Sequence, residues 1–287
     1  MNISTKSKIY FASLINRPFI FIFDSLFGTK IRKVERRGIL WELDLTEGID
    51  FSIFIFGQFE KETSQAIRRL VTNNSIVIDI GANIGAHTLP MAKLVGKKGK
   101  VYAIEPTKYA YSKLTKNLLI NKSLSKRVQS DQIMLINNDG KGKVKDLYSS
   151  WPLSVRSKDE KRHSVHQGVL RTISGAGEVT LDDYVSMNNI TSLDLIKLDV
   201  DGNELEILRG AKNVLKKMKT TLIMELAPEQ YDDINDFYKV VKILTSMKYS
   251  FYSLDEKFTY PSEPHALIKH IPTNGSINIV AKKCRSS

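Results

Sequence analysis

Val77-Ile78-Asp79-Ile80-Gly81-Ala82-Asn83-Ile84-Gly85 decides the fold. An apolar, β-branched run ends in an acid, a glycine-bearing turn follows at once, and an amphipathic run from Ala86 to Leu94 comes next. Read locally, this is a buried strand, a tight turn and a helix start. Glycines in the turn permit positive φ and let a ligand approach the backbone. The helix start offers unpaired N–H groups to whatever sits there. Lys100-Val-Tyr-Ala-Ile-Glu105-Pro106 reads as a second strand ending in acid, placed where a carboxylate would grip a ribose diol. Two strand-tip acids around one glycine turn describe a nucleoside-binding crevice.

The turn also narrows the nucleoside. The dinucleotide fingerprint needs G-x-G-x-x-G, whereas here Gly81 and Gly85 enclose Ala82, Asn83 and Ile84. The phosphate-binding G-K-[ST] is absent. An acid at Asp79 would repel a pyrophosphate but suits a cation, and S-adenosylmethionine carries both a sulfonium and an ammonium. An ordinary βα corner with no ligand is the plainer alternative. Leu193-Asp-Leu-Ile-Lys197-Leu-Asp199-Val-Asp201-Gly202-Asn203-Glu204 is another buried strand running into charge, and the helix after it repeats Leu205, Leu208, Ala211, Val214 and Leu215. Thr220 to Leu226 is a further strand, with Glu225 near its end. In open α/β sheets functional groups collect at strand carboxyl ends, which is where Asp79, Glu105, Asp199 and Glu225 would lie.

With these segments on the page, the chain resembles an FkbM-type methyltransferase, a branch of the class I S-adenosylmethionine-dependent enzymes. The likeness rests on Gly57-Gln-Phe-Glu60-Lys-Glu62, the glycine turn with its helix, Ala103-Ile-Glu105-Pro106, and Thr180-Leu-Asp-Asp183 leading into Ile196 to Leu205, over roughly residues 38 to 228. The family usually has Glu at 201 and Ala at 203, where this chain has Asp201 and Asn203. Residues 140–178 match poorly and are expected to shape the acceptor pocket. The resemblance implies S-adenosyl-L-methionine as cofactor and methyl transfer as the activity, most simply to a hydroxyl of a small molecule, glycan or lipid-linked sugar. An RNA methyltransferase and a non-catalytic nucleoside-binding module are the alternatives.

Alternating strands and helices predict an α/β, Rossmann-like, doubly wound and mostly parallel seven-stranded sheet. By resemblance its last strand, Ile277 to Ala281, is antiparallel. The expected organisation is a helical extension over 1–37, a β-hairpin and lead-in helix over 38–75, and the catalytic domain over 76–287 with a 140–178 insertion. The hairpin is expected from strands 38–45 and 50–56 around Thr46-Glu47-Gly48. Core strands are expected at 76–80, 100–105, 132–137, 194–199 and 221–226.

Roles follow from chemistry. Gly81, Ala82, Asn83 and Gly85 would pass beneath the methionine moiety, with Asp79 orienting its ammonium directly or through water. Glu105, followed by Pro106, would take the ribose hydroxyls. Asn138 and Asp139 could accept from the adenine amino group, or form a simple Asx turn before Gly140. Asp199 is the expected base, with Lys197 beside it by the period of two and Asp201 and Glu204 as alternatives. His87 is an acceptor contact, a base or a packing residue. No metal site is expected, because the fifth strand leads into Glu225-Leu-Ala-Pro-Glu229 without an Asp-Asn pair. His163 and His166 lack a third ligand nearby and read as a solvated loop.

Composition bounds the rest. The chain has 287 residues, 43 basic and 31 acidic, for a net charge of +12. A lysine-rich solvated surface accounts for that balance, and an anionic acceptor is the functional reading. The one cysteine, Cys284, excludes an intrachain disulfide framework and a cysteine metal cluster. No Asn/Asp-Pro-Pro-aromatic tetrapeptide, Pro-Cys nucleophile or basic-aromatic patch supports nucleic acid as the partner. Ile9 to Phe27 is apolar but broken by Arg17, Pro18 and Asp24, too short to span a bilayer. It reads as a helix packed on the domain or as an interfacial anchor flanked by Lys and Arg. The expected location is therefore cytoplasmic, with peripheral membrane contact through the N-terminus as a second reading. Oligomeric state is not legible.

Overall fold

The computed structural model describes residues 30–137, 146–149, 152–153 and 168–283. It opens with an antiparallel hairpin of β1 (Ile31–Arg36) and β2 (Ile39–Asp44). Arg37 and Gly38 make the turn, both at positive φ, which is the twist a two-residue hairpin loop requires. Ile39, Trp41 and Leu43 alternate inward from β2, and the helices Gly48–Phe56 and Lys61–Leu70 follow. The alternating unit comes next, with β3 (Ile76–Ile80), the helix Thr88–Leu94, β4 (Lys100–Ile104), the helix Lys108–Ile120 and β5 (Val128–Asp131). Four short strands come after it: β6 (Ile133–Leu135), β7 (Asp146–Ser149), β8 (Val169–Thr172) and β9 (Gly177–Val179). The helix Leu181–Met187, β10 (Leu195–Leu198), the helices Glu204–Arg209 and Lys212–Lys217, and β11 (Thr221–Leu226) resume the alternation. The helix Ile234–Ser246, β12 (Tyr249–Ser253), β13 (Thr259–Tyr260) and β14 (Ile277–Lys283) complete it.

The main sheet has the order β13-β12-β14-β11-β10-β3-β4-β5. Strands β11, β10, β3, β4 and β5 are parallel, and β14 inserts antiparallel between β11 and β12. Strand order reverses between β3 and β10, so the crevice beyond their carboxyl ends is the switch point at which such sheets bind ligands. Two apolar layers cover the faces. One gathers Ile78, Ile196, Leu205, Leu222 and Phe237, and the other packs Trp41, Leu43, Ile67, Val77, Leu89 and Leu114. The hairpin thus belongs to the domain's own core, a point strengthened by Asn117 and Asn121, whose side-chain oxygens accept from Glu42 N and Leu40 N.

The expected mostly parallel sheet with an antiparallel strand near its end is present, with eight strands rather than seven because the short β13 adds to its edge, and with four further corrections. Residues 50–56 are helical rather than a strand. The Phe/Ile run looks β-prone, but Asp50 is drawn under the domain, accepting from Asp44 N at 2.7 Å and Lys113 Nζ at 2.6 Å. Gly57, at φ 69°, closes the helix with its N–H on Ile53 O. The hairpin's first strand is consequently β1, inside the stretch read as helical extension. The third core strand is Val128–Asp131 rather than 132–137. It is an edge strand of four half-buried residues, of which only Val128 is apolar, with no apolar run to announce it, while the apolar Ile133–Leu135 pairs with β9 outside the main sheet. The single helix read through Leu205, Leu208, Ala211, Val214 and Leu215 breaks at Gly210, where a Cβ would lie 2.3 Å from Ile136 O.

Candidate active site

Beyond β3 the chain turns through Gly81 at φ 76°, where a Cβ would stand 1.9 Å from the Asp199 carbonyl oxygen. A glycine is required there by conformation and by close approach. Asn83 takes φ 49°, which Asn tolerates better than most residues. Its backbone N–H donates to Glu105 Oε2 at 2.9 Å. Thr107 gives Glu105 Oε1 two more hydrogen bonds, from its N–H at 3.0 Å and its hydroxyl at 2.5 Å, while also capping the next helix. The turn and the second strand tip are therefore locked together through one carboxylate. Burial pushes the Glu105 carboxyl up, opposed by the bonds from Thr107 and Asn83.

Two cavities meet at this turn. One, of about 530 Å³, is lined by Glu105, Pro106, Thr107, Met134, Leu147 and Asn203, apolar side chains with one buried acid among them. The other, of about 900 Å³, is lined by Phe59, Glu60, His87, Lys197, Glu225 and Gln230. Gly81, Asn83, Asp199 and Asp201 line both. Asn83 Oδ1 is buried there without a hydrogen-bond partner.

The register of β3 against β10 sets Lys197 beside Asp79. Lys197 Nζ lies 3.0 Å from Asp199 Oδ2 and 3.9 Å from Asp79 Oδ1, and both Lys197 and Asp79 are buried. Burial disfavours charge on Lys197, but Asp199, Asp79 and Glu60 outweigh it and hold the ammonium above its ordinary range. Asp79 accepts from Thr88 Oγ1 at 2.6 Å and lies behind the cavity wall rather than on it. Asp201, at φ 50°, and Glu225 stand across the cavity, each accepting from Gln230 Nε2 at 3.3 Å. Ser276 also donates to Glu225. Burial first, then neighbouring Asp199, raises both acids: Asp201 well above its ordinary value, Glu225 to about 8. Asp199, Asp201 and Glu225 bring one oxygen each within 4.8 Å, the group among the described residues that could hold a hard cation. Glu204 opens its helix, bonded by Tyr231 OH at 2.6 Å.

Of the residues singled out in the sequence, Gly81, Ala82, Asn83, Glu105, Pro106, His87, Lys197, Asp199 and Asp201 line these cavities. Gly85 sits beneath, its Cβ position 2.9 Å from Leu114 Cδ1. Asn138, Asp139, His163, His166, Cys284 and the apolar N-terminal run lie outside the described residues. Sequence reasoning missed Thr88, Thr107 and Gln230 as partners of site acids. Only Thr107, following Glu-Pro at a helix start, carried a local signal.

The Methyltransferase FkbM domain matches residues 79–251, more than half of the chain. The chain belongs to the FkbM methyltransferase family. It is 24% identical over 188 residues to the hexuronic acid methyltransferase AglP of Haloferax volcanii, covering 66% of this chain and 71% of that one. It is 26% identical to the 2-O-methyltransferase NoeI of Sinorhizobium fredii, covering 54% and 65%. Among solved structures it is similar to a putative rRNA methylase from Clostridium thermocellum, at TM-score 0.46 and 12% identity, covering 79% and 96%. This FkbM chain is a methyltransferase that uses S-adenosyl-L-methionine. Asn83 Oδ1, waiting without a partner where the cavities join, and Glu105 beside it suit that cofactor's polar edges. Among the described residues no helix is long and apolar enough to cross a membrane.

Proposed function

We propose that this FkbM chain methylates a hydroxyl of a sugar or a similarly polar small molecule, and that Asp199 is the base. The observation that carries the reading is the place of Asp199, at the junction of the two cavities, 27% exposed and fixed by Lys197 at 3.0 Å. Bound S-adenosylmethionine supplies an electrophilic methyl that direct substitution moves to the acceptor oxygen. Glu105 holds the ribose hydroxyls, and the Gly81–Gly85 turn makes room for the chain beyond them. Lys197 keeps Asp199 oriented, and Asp199 takes the hydroxyl proton as the new O–C bond forms. The wall of Glu60, Asp201 and Glu225 offers carboxyl oxygens for hydrogen bonds with a hydroxyl-rich substrate. Two relatives, named for methylating a hexuronic acid and for a 2-O position, support a sugar acceptor.

Labelled-methyl transfer to a panel of uronic acids, oligosaccharides, lipid-linked sugars and RNA tests this. Transfer to a sugar hydroxyl is expected, and Asp199→Asn should lower turnover by about 100-fold or more while retaining cofactor binding. Transfer to RNA alone would overturn the acceptor class.

A further inference from the structure

We propose that His87 and Glu60 together receive the amino-acid end of the cofactor, the imidazole taking its carboxylate and Glu60 its ammonium. This rests on S-adenosylmethionine being the cofactor and assigns a subsite within that reading. His87 is 4% exposed, lines the larger cavity, and neither ring nitrogen has a hydrogen-bond partner. Leaving a buried polar group unpaired costs about 1–3 kcal/mol, so such a ring facing a cavity is arranged for a ligand. Phe59 packs on it at 5.8 Å between ring centroids, fixing its plane.

Charge complementarity selects the ligand. The amino-acid end of the cofactor carries a carboxylate and an ammonium on one carbon. His87 Nε2 and Glu60 Oε2 lie 3.7 Å apart, a donor and an acceptor at a matching separation. Among the described residues lining this cavity the ammonium of Lys197 is already paired with Asp199 and Asp79. Asp199, paired with Lys197, puts a carboxylate on the opposite wall, which directs the cofactor's own carboxylate to the His87 side. Asp79, expected from sequence to orient the ammonium, stands behind the wall bonded to Thr88, whereas Glu60 is on the wall.

Glu60 is also held in a costly conformation. Its φ of 42° lies in the left-handed region, worth about 1–3 kcal/mol of strain for a residue with a side chain. It stands at the N-terminus of the helix Lys61–Leu70 without capping it by its side chain. Its carboxylate faces the site instead, close enough to raise both Lys197 and Glu225.

The test compares two ligands by calorimetry. S-adenosylhomocysteine carries the amino-acid end, and 5′-methylthioadenosine keeps the adenosine and the thioether but lacks it. The wild-type protein, His87→Asn and Glu60→Gln are each titrated with both. Each variant should lose about tenfold or more in affinity for S-adenosylhomocysteine, the cost of one hydrogen bond to a charged group. Affinity for 5′-methylthioadenosine should stay within about twofold of the wild type, which also shows that the variant is folded. Parallel losses on both ligands, or no loss in either variant, would overturn the assignment. A wild-type protein that binds both ligands equally well overturns it too, leaving the cofactor reading intact. A wild-type protein that binds neither removes the cofactor reading and this inference with it.

Discussion

Gly81 and Lys197 each show how a single residue holds the two halves of the site in place. Gly81 lets β3 end directly against the Asp199 carbonyl, so Gly81→Ala must displace the backbone of one strand tip or the other. Cofactor affinity measured by calorimetry should fall by at least about tenfold, with a stability loss of about 1–3 kcal/mol in denaturant unfolding. Lys197 is the counter-charge of two carboxylates in a nearly water-free position. Lys197→Met leaves Asp79 buried with a bond from Thr88 alone, and breaking such a pair costs about 3–5 kcal/mol. Urea unfolding at neutral pH checks this, and a loss below about 1 kcal/mol would show that the pair has little structural weight. Glu225 makes a pH prediction. Its folded-state carboxyl is raised to about 8 from an ordinary 4.5, so its protonated form is favoured by folding. That contribution is complete below pH 4.5 and is lost as pH rises toward 8. Glu225→Gln should therefore flatten the decline in stability between pH 5 and 9, measured by chemical denaturation across that range.

At the scale of elements, the short strands between β6 and β9 matter more than their length suggests. β7 supplies Leu147 and Ser149 to the smaller cavity and pairs antiparallel with β8. β8 is tied to the body of the protein through Arg171, which stacks 4.0 Å over the Tyr109 ring and lies 3.8 Å from Glu47 Oε1. Tyr109 OH donates to the same Glu47 oxygen at 2.9 Å, and Leu153 N donates to Thr46 O at 2.8 Å. The turn after β2 and the helix Lys108–Ile120 thereby carry one wall of the smaller cavity. Arg171→Ala should raise KM for S-adenosylmethionine several-fold with little change in kcat, and should speed amide exchange in β7 and β8 more than in β3 and β4. Uniform exchange across all four strands would show that the clamp is not local.

Among the described residues the molecule is built on one eight-stranded sheet with both faces covered, and the β1–β2 hairpin closes one of those faces. Trp41 and Leu43 are nearly inaccessible and pack in the layer that also holds Leu89 and Leu114. Trp41→Ala should cost about 3–5 kcal/mol, read as a drop in urea midpoint, because the vacated volume lies inside that layer. A midpoint unchanged from wild type would mean that the hairpin packs as a separate unit. The net charge of +12 has its own geography. Lys216, Lys217, Lys219, Lys248, Lys282 and Lys283 line a groove at the amino ends of the parallel strands, on the pole opposite the catalytic crevice. The positive balance legible in composition is thus segregated from a site whose walls are acidic.

Much of this was present in the order of residues alone. A β-branched run, a glycine turn and a strand-tip acid twenty residues on dictate a strand, a corner and a carboxylate beside that corner, because each depends on neighbours close in sequence. Asp79, Glu105 and Asp199 were placed correctly at strand ends for the same reason. The tertiary structure alone decided what depends on distant partners. Asp50–Phe56 became helix because Asp50 met Lys113 and Asp44, and Val128–Asp131 became a sheet strand because β4 offered it an edge. Lys197 was drawn to Asp79 by strand register, and Glu60 was brought to 3.7 Å from His87 by the packing of an upstream turn against the first helix of the alternating unit. Local periodicity carries no record of such pairings. They form when burial removes water as the competing partner, and only the folded chain specifies which groups are buried together.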